Sequence, residues 1–367
     1  RGVAERLLAS NSPLLITAYA GRQAAAVELL QDLALTAGIR VCVFNGSTVN
    51  FPPDCPCFGG YAPGPHVAQA DFGLMVDVDV PWMPATTTVT AAAYWVQMDV
   101  DAVKRDIPLW DFPADLRIEG DSVALLTGLL DEVRALMTPG QRKRARERVD
   151  RMASEHVQQQ AALKAIGREP GHPGAVNPAY VLAALGRALA PDDIVVNEAV
   201  THALAVWQHL RRTRPGTMFG LAGGGLGFSS GAALGIKLAR PERTVVNVVG
   251  DGTFHLSDPS SVYGMAQQYR LPIFTVVLDN GGWAAVKHAT QRMYPAGEAD
   301  ARGEHHTGIA SSVDFARLAQ ACGAHGEHVG TPAGVDAAIA RCLDALRAGR
   351  AAVLHLDIGR LGEAARP

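Results

Sequence analysis

Two short apolar runs constrain this chain more than any other feature. They are Val245-Val246-Asn247-Val248-Val249 and Phe274-Thr275-Val276-Val277-Leu278. Neither alternates with charged residues, so both read as strands covered on both faces, the habit of parallel sheets. The stretch Ser260 to Tyr269 between them reads as a helix. A strand–helix–strand unit brings both strands out at the same sheet edge. The residues leaving that edge are Gly250-Asp251-Gly252-Thr253 and Asp279-Asn280-Gly281-Gly282-Trp283.

The same alternation runs through the rest of the chain. Strand-like runs at Pro13 to Ala20, Val41 to Phe44, Phe72 to Val80 and Tyr94 to Val100 accompany an amphipathic stretch, Gln23 to Ala37. From Asn177 onward a second series begins: helix Pro178 to Leu189, strand Asp193 to Asn197, helix Ala199 to Arg212 and a glycine-rich turn, Gly220 to Gly227. Helix Ser229 to Leu238 and the two strands above follow. Helices Val313 to Cys322 and Pro332 to Ala348 then precede a last strand, Ala352 to Ile358. The pattern predicts an α/β protein with two doubly wound domains and mainly parallel sheets. We read a first domain over 1–140, a linker helix and loop over 141–174, and a second domain over 175–367. The length of 367 residues suits about two domains.

Within the linker, Arg142, Lys143, Arg144, Arg146, Arg148 and Arg151 are interleaved with Glu147 and Asp150, which describes a solvated helix and not a nucleic-acid face. A net charge of −3 argues the same way, and 48% hydrophobic residues supply real cores. The five cysteines, 42, 55, 57, 322 and 342, form no disulfide framework and fit a reducing cytoplasm. Cys55 and Cys57 flank a proline, and two ligands do not make a zinc site. No apolar run reaches the roughly 18 residues of a membrane span.

The chemistry sits at the shared edge. Asp251 and Asn280 offer hard oxygen atoms, and the Gly282 carbonyl offers another; such donors suit Mg²⁺ or Ca²⁺. The glycines let backbone approach a bulky anion, and the C-terminal edge of an open α/β sheet is where ligands bind. A helix beginning near Ser257 to Ser260 adds N–H groups and a positive dipole end. Each turn alone reads as an ordinary Gly/Asp/Asn turn. Their separation of 29 positions, one strand–helix–strand unit, brings both to one edge.

Gly250-Asp251-Gly252 followed by Asn280 resembles the thiamin diphosphate motif of the acetolactate synthases, benzoylformate and pyruvate decarboxylases, benzaldehyde lyase and oxalyl-CoA decarboxylase. That family usually shows two asparagines, and here Asp279 stands in the first place. The resemblance implies thiamin diphosphate at Gly250, Gly252 and Thr253, with Mg²⁺ held by Asp251, Asn280 and the backbone oxygen of Gly282. A second segment, Gly223-Gly224-Gly225-Leu226-Gly227-Phe228, fails the Gly-x-Gly-x-x-Gly spacing of a dinucleotide loop, because Phe228 stands where the third glycine would fall. In the resembling family this segment grips the aminopyrimidine. The Gly224 carbonyl would accept from its amino group and Leu226 would wedge beneath the thiazolium; a core leucine is the other reading. A third segment, Asn197 to His202, resembles the loop that meets the diphosphate, with Thr201 as the hydroxyl contact or else a helix cap. The resemblance spans the whole chain and is strongest over 175–285.

It implies a thiamin diphosphate- and Mg²⁺-dependent 2-oxoacid decarboxylase or carboligase/lyase, acetolactate synthase-like, which makes or breaks C–C bonds next to a carbonyl. The expected partners are a small 2-oxoacid or aldehyde and a second copy in a homodimer or homotetramer, with no nucleic acid and no membrane. Trp283, Ala285 and Val286 follow the metal turn and are the expected pocket walls. His255 and His288 are candidate proton shuttles. In this family the glutamate that activates the cofactor lies on an N-terminal pyrimidine-binding domain. Glu198 is no substitute, since its segment matches the diphosphate end. The expectation is that this domain is truncated or is a separate chain. The alternative function is a cofactor-binding but non-catalytic half-site subunit that needs such a partner. The first domain resembles the family's middle domain, which in some members binds FAD or a CoA nucleotide; nothing in 1–140 selects either.

Overall fold

Parallel pairing builds both large sheets of the computed structural model, which describes residues 1–107, 110, 112–220, 225–309 and 313–359. The chain divides into two compact units. One comprises Arg1–Ala161 with Arg212–Thr217, the other Ala162–Arg211 with Met218–Pro367.

The first unit holds β1 (Pro13–Thr17), β2 (Arg40–Val43), β3 (Phe58–Gly60), β4 (Phe72–Val76), β5 (Tyr94–Asp99) and β6 (Leu116–Glu119), ordered β3-β2-β1-β4-β5-β6. All five residues of β1 and of β4 are buried, as their unbroken apolar character requires. The helix Ala24–Ala37 links β1 to β2 and packs Leu30 and Leu33 into the same core as Leu15, Leu74 and Val96. It stops at Gly38, whose φ is +65° and whose added Cβ would sit 2.6 Å from the Ala145 carbonyl oxygen, so only glycine fits. The order reverses between β1 and β4, the place where doubly wound sheets open a crevice. Polar side chains there are tied to one another. Tyr19 Oη lies 2.8 Å from Asp79 and 2.7 Å from Asp99, and the Lys104 ammonium lies 2.8 Å from Asp99 and 2.9 Å from Asp79. Ser122 donates to the buried Asp77 and Arg22 pairs with it.

The mixed-charge segment forms one helix, Pro139–Ile166, which buries only Ala145, Met152 and His156. The chain passes from the first unit to the second within it, at Ala161/Ala162. The Pro/Gly segment after it forms a small antiparallel pair, β7 (Gly171–His172) with β8 (Ala175–Val176).

The second unit holds β9 (Ile194–Glu198), β10 (Met218–Gly220), β11 (Val245–Gly250), β12 (Phe274–Asp279), β13 (His325–Val329) and β14 (Ala352–Asp357), ordered β10-β9-β11-β12-β14-β13 and parallel throughout. Its interior strands are buried almost end to end. Full burial of each Val, Leu or Ile contributes about 1.5–3 kcal/mol. Several elements differ from the sequence reading. Gly250 leads straight into a short helix, Asp251–Leu256, instead of a loop. The next helix, Pro259–Gln268, starts behind Asp258, whose carboxylate accepts from Ser261. The expected helix Ala199 to Arg212 is a 3-10 turn, Val200–His202, followed by Ala203–Leu210. The edge strands β3, β6, β10 and β13 escape sequence reading because they are short or carry polar residues. All five cysteines are unbridged. Among the described residues no helix is long and apolar enough to cross a membrane.

Candidate functional site

Register fixes what meets at the edge of the second sheet. Gly250 pairs with Leu278, Val249 with Glu198, and Asp279 with Asp357. Asp251, one residue past β11, therefore stands beside Asp279 at the end of β12. Asp251 is 2% exposed, and its Oδ2 has no hydrogen-bond partner among the described residues. Burial first, and the neighbouring Asp279 charge second, push its carboxyl up to about 7. Burial acts upward on Asp279 as well, but the His355 hydrogen bond and the Gly281 N–H outweigh it and hold that carboxyl below its ordinary value. Two acids in contact at one strand edge are thus unequal: His355 and Gly281 favour the ionised form of Asp279, while Asp251 is pushed toward its protonated form.

The turn after β12 is braced from both sides. Gly281, at φ +78°, donates its N–H to Asp279 Oδ1 at 2.8 Å, and Gly282 donates to Asn280 Oδ1 at 3.2 Å. Across the turn, Gly282 bridges Gly308, Trp283 N–H reaches the Thr307 carbonyl at 2.7 Å, and Ile309 N–H reaches that of Gly281 at 3.0 Å. Asn280 and Gly282 are buried. Asp251, Asn280 and the Gly282 carbonyl form an all-oxygen donor set. A divalent cation fits here because the orphaned Asp251 oxygen needs the countercharge that the protein withholds.

The glycines divide by role. A Cβ on Gly250 or Gly225 meets open space, so backbone is uncovered where an anion would approach. On Gly252 it would sit 2.4 Å from the Trp283 ring, and on Gly227 (φ +94°) 2.7 Å from the Leu256 carbonyl oxygen. Thr253 is buried and its hydroxyl donates to the Glu198 carbonyl at 3.3 Å. Glu198, 1% exposed, accepts from Gly227 N–H at 2.8 Å and Ser229 N–H at 2.9 Å, anchoring the end of the glycine-rich loop.

The remaining expected residues are distributed as follows. Leu226 is 36% exposed and so is not a core leucine. Thr201 is exposed in the Val200–His202 turn, and no side chain caps the helix behind it. Gly224 lies outside the described residues. Trp283 is half-buried against Gly252, Ala285 is half-buried and Val286 is exposed on the helix Ala284–Met293. His288 is exposed on the same helix. His255 is half-buried, edge-on to Phe315, and its Nε2 lacks a partner among the described residues. Burial first, then the His288 charge, lower the pKa of His202.

Sequence reasoning missed three contributors: the Thr307-Gly308-Ile309 brace, the anchoring role of Glu198, and His355. Only His355 carried a signal, as a lone histidine inside an apolar strand.

Residues 198–356 match the family model described as thiamine pyrophosphate enzyme, C-terminal TPP binding domain. Over 364 residues the chain is 29% identical to benzoylformate decarboxylase of Pseudomonas aeruginosa, covering 94% of this chain and 61% of that protein. Over 170 residues it is 31% identical to the acetolactate synthase isozyme 2 large subunit of Escherichia coli, covering 46% and 30%. The fold resembles that of the thiamine diphosphate-dependent 4-hydroxybenzoylformate decarboxylase of Rhodococcus jostii, with a TM-score of 0.76, 20% identity, and coverage of 99% of this chain and 64% of that one. The match thus spans 61% of that benzoylformate decarboxylase, 64% of the 4-hydroxybenzoylformate decarboxylase and 30% of the acetolactate synthase subunit.

Proposed function

We propose that this chain, which belongs with the thiamin diphosphate-dependent enzymes, binds that cofactor through a divalent cation and serves as a 2-oxoacid decarboxylase or carboligase. The observation that carries this reading is the buried Asp251 carboxyl, one oxygen of which has no partner among the described residues, next to the end of β12 from which Asn280 and Gly282 follow. These three would hold Mg²⁺, whose charge offsets both Asp251 and the cofactor's diphosphate. When bound, thiamin diphosphate supplies the electron sink for C–C cleavage next to a carbonyl.

The chain's own residues hold and shape. Gly250 and Gly225 leave backbone open to the anion, and Thr201 offers a hydroxyl at the same edge. Leu226, exposed at the end of the glycine-rich loop, and Gly224 are the pyrimidine-side contacts of this reading. Trp283, Ala285 and Val286 wall the substrate pocket, with a small 2-oxoacid or aldehyde as occupant. Both carboxylate oxygens of Glu198 are committed to backbone N–H groups. The glutamate that activates the pyrimidine is then supplied by a pyrimidine-binding domain, in a homodimer or by a partner chain.

Isothermal titration with thiamin diphosphate, in Mg²⁺ and in chelator, tests the binding. The expected result is binding that requires the cation. Turnover of benzoylformate and pyruvate, with and without a pyrimidine-binding domain added, tests the reaction. Tight NAD(P) binding with none of thiamin diphosphate overturns the proposal.

A further inference from the structure

Resting on that reading of the cation site, we infer that His355 is its positioning residue: it fixes the Asp279 carboxylate and, through it, the turn that presents Asn280 and Gly282. His355 is 3% exposed in the middle of β14. A buried imidazole needs a hydrogen-bond partner to offset its lost hydration. It pairs with Val277 across the sheet, so it shares a face with Asp279 two residues on. Its Nε2 lies 2.8 Å from Asp279 Oδ2, and opposite a carboxylate that nitrogen is the donor. The other oxygen, Oδ1, accepts from Gly281. One carboxylate therefore couples a rigid strand to the turn that carries Asn280 and Gly282.

The surroundings support a buttress and argue against an ion shared by His328 and His355. The groups facing His355 are Asp314 Oδ1 at 3.9 Å from Nδ1, Asp357 Oδ1 at 4.0 Å from Nε2, the Phe315 ring at 4.8 Å and the His328 ring at 4.1 Å. His328 and His355 are stacked within 7° of parallel. A metal lies in the plane of each imidazole it binds, so two parallel rings cannot share one ion. His328 Nε2 is bonded to Asp357 at 2.9 Å. What remains is a chain of polar contacts ending on the metal turn, the kind of outer support whose loss weakens metal affinity about 10–100-fold.

The test is Mn²⁺ binding to the chain in the presence of thiamin diphosphate, followed by the electron paramagnetic resonance of free Mn²⁺, with circular dichroism to confirm folding. His355→Leu is expected to weaken Mn²⁺ at least about tenfold, and His355→Gln, which keeps an N–H donor, less than about threefold. In the Asp279→Ala background the contact is already gone, so His355→Leu there should cost less than about threefold. If His355→Leu does not fold, Asp279→Ala breaks the same contact from the other end and should show the tenfold loss. Wild-type affinity in His355→Leu, or a loss from His355→Leu that is the same with and without Asp279→Ala, would overturn the inference. Absence of Mn²⁺ binding by the folded wild-type chain would overturn the cation-site reading, and this inference with it.

Discussion

The Glu198 carboxylate accepts from the backbone N–H of Gly227 at 2.8 Å, joining the end of β9 to the exit of the glycine-rich loop. A second bond, from Ser229 at 2.9 Å, places both oxygens on the first turn of the helix Phe228–Ala239. A carboxylate there also meets the positive end of the helix dipole. Glu198→Ala should therefore cost about 3 kcal/mol, two hydrogen bonds to a charged acceptor. Glu198→Gln, which keeps one acceptor oxygen, should cost about half of that. Denaturant unfolding of the two variants measures both, and thiamin diphosphate affinity should fall in the same order.

Gly250 and Gly252 flank the same aspartate but answer to different constraints. An added methyl on Gly250 meets nothing within 4 Å, whereas on Gly252 it would meet Trp283 Cζ3 at 2.4 Å. Gly252→Ala should destabilise the chain by about 1–3 kcal/mol through overpacking and shift the Trp283 fluorescence. Gly250→Ala should leave the ligand-free chain near wild type in stability while weakening thiamin diphosphate. Thermal unfolding and ligand titration of the pair separate packing from binding.

In the first unit, Lys104 is 5% exposed and bonds both Asp99 and Asp79. Asp99 is fully buried, so Lys104→Met strands a charge. The expected loss is about 3–5 kcal/mol, partly recovered in Lys104→Met with Asp99→Asn. Urea unfolding of the single and double variants checks it.

How much of this was legible in the sequence depends on the range of the forces involved. β11 and β12 announce themselves because both faces are apolar, and Asp251 and Asn280 because one crossover's spacing puts them at one edge. The helix beginning at Asp251 was not legible, since Gly250-Asp251-Gly252-Thr253 has the composition of a turn and is held helical by its packing on β11 and β12. β13 was missed because His325-Gly326-Glu327-His328 is polar, as an edge strand can be. Glu198, His355 and Thr307 act through partners 29, 76 and 24 positions away. No local periodicity records such contacts. The pair Asp279–His355 also shows why an aspartate can stand where the resembling family usually carries asparagine: a histidine on the next strand compensates the added charge.

Asp251 and Asp279 together give the cation site a defined pH dependence. In the cation-free chain burial and Asp279 push Asp251 up to about 7, from an ordinary 3.8. Between those values the folded state holds a proton that the unfolded state has released. Stability without the cation should therefore fall as pH rises from about 4 to 7, the reverse of a salt-bridged aspartate. Mg²⁺ must displace that proton below pH 7, so its affinity should weaken by up to about tenfold per unit as pH is lowered from 7. The two slopes oppose each other, and Mg²⁺ should stabilise the chain most at and above pH 7. Thermal unfolding at pH 5, 6, 7 and 8, with Mg²⁺ and with chelator, measures both slopes at once. Asp251→Asn should abolish both, because the amide neither titrates nor supplies the missing charge.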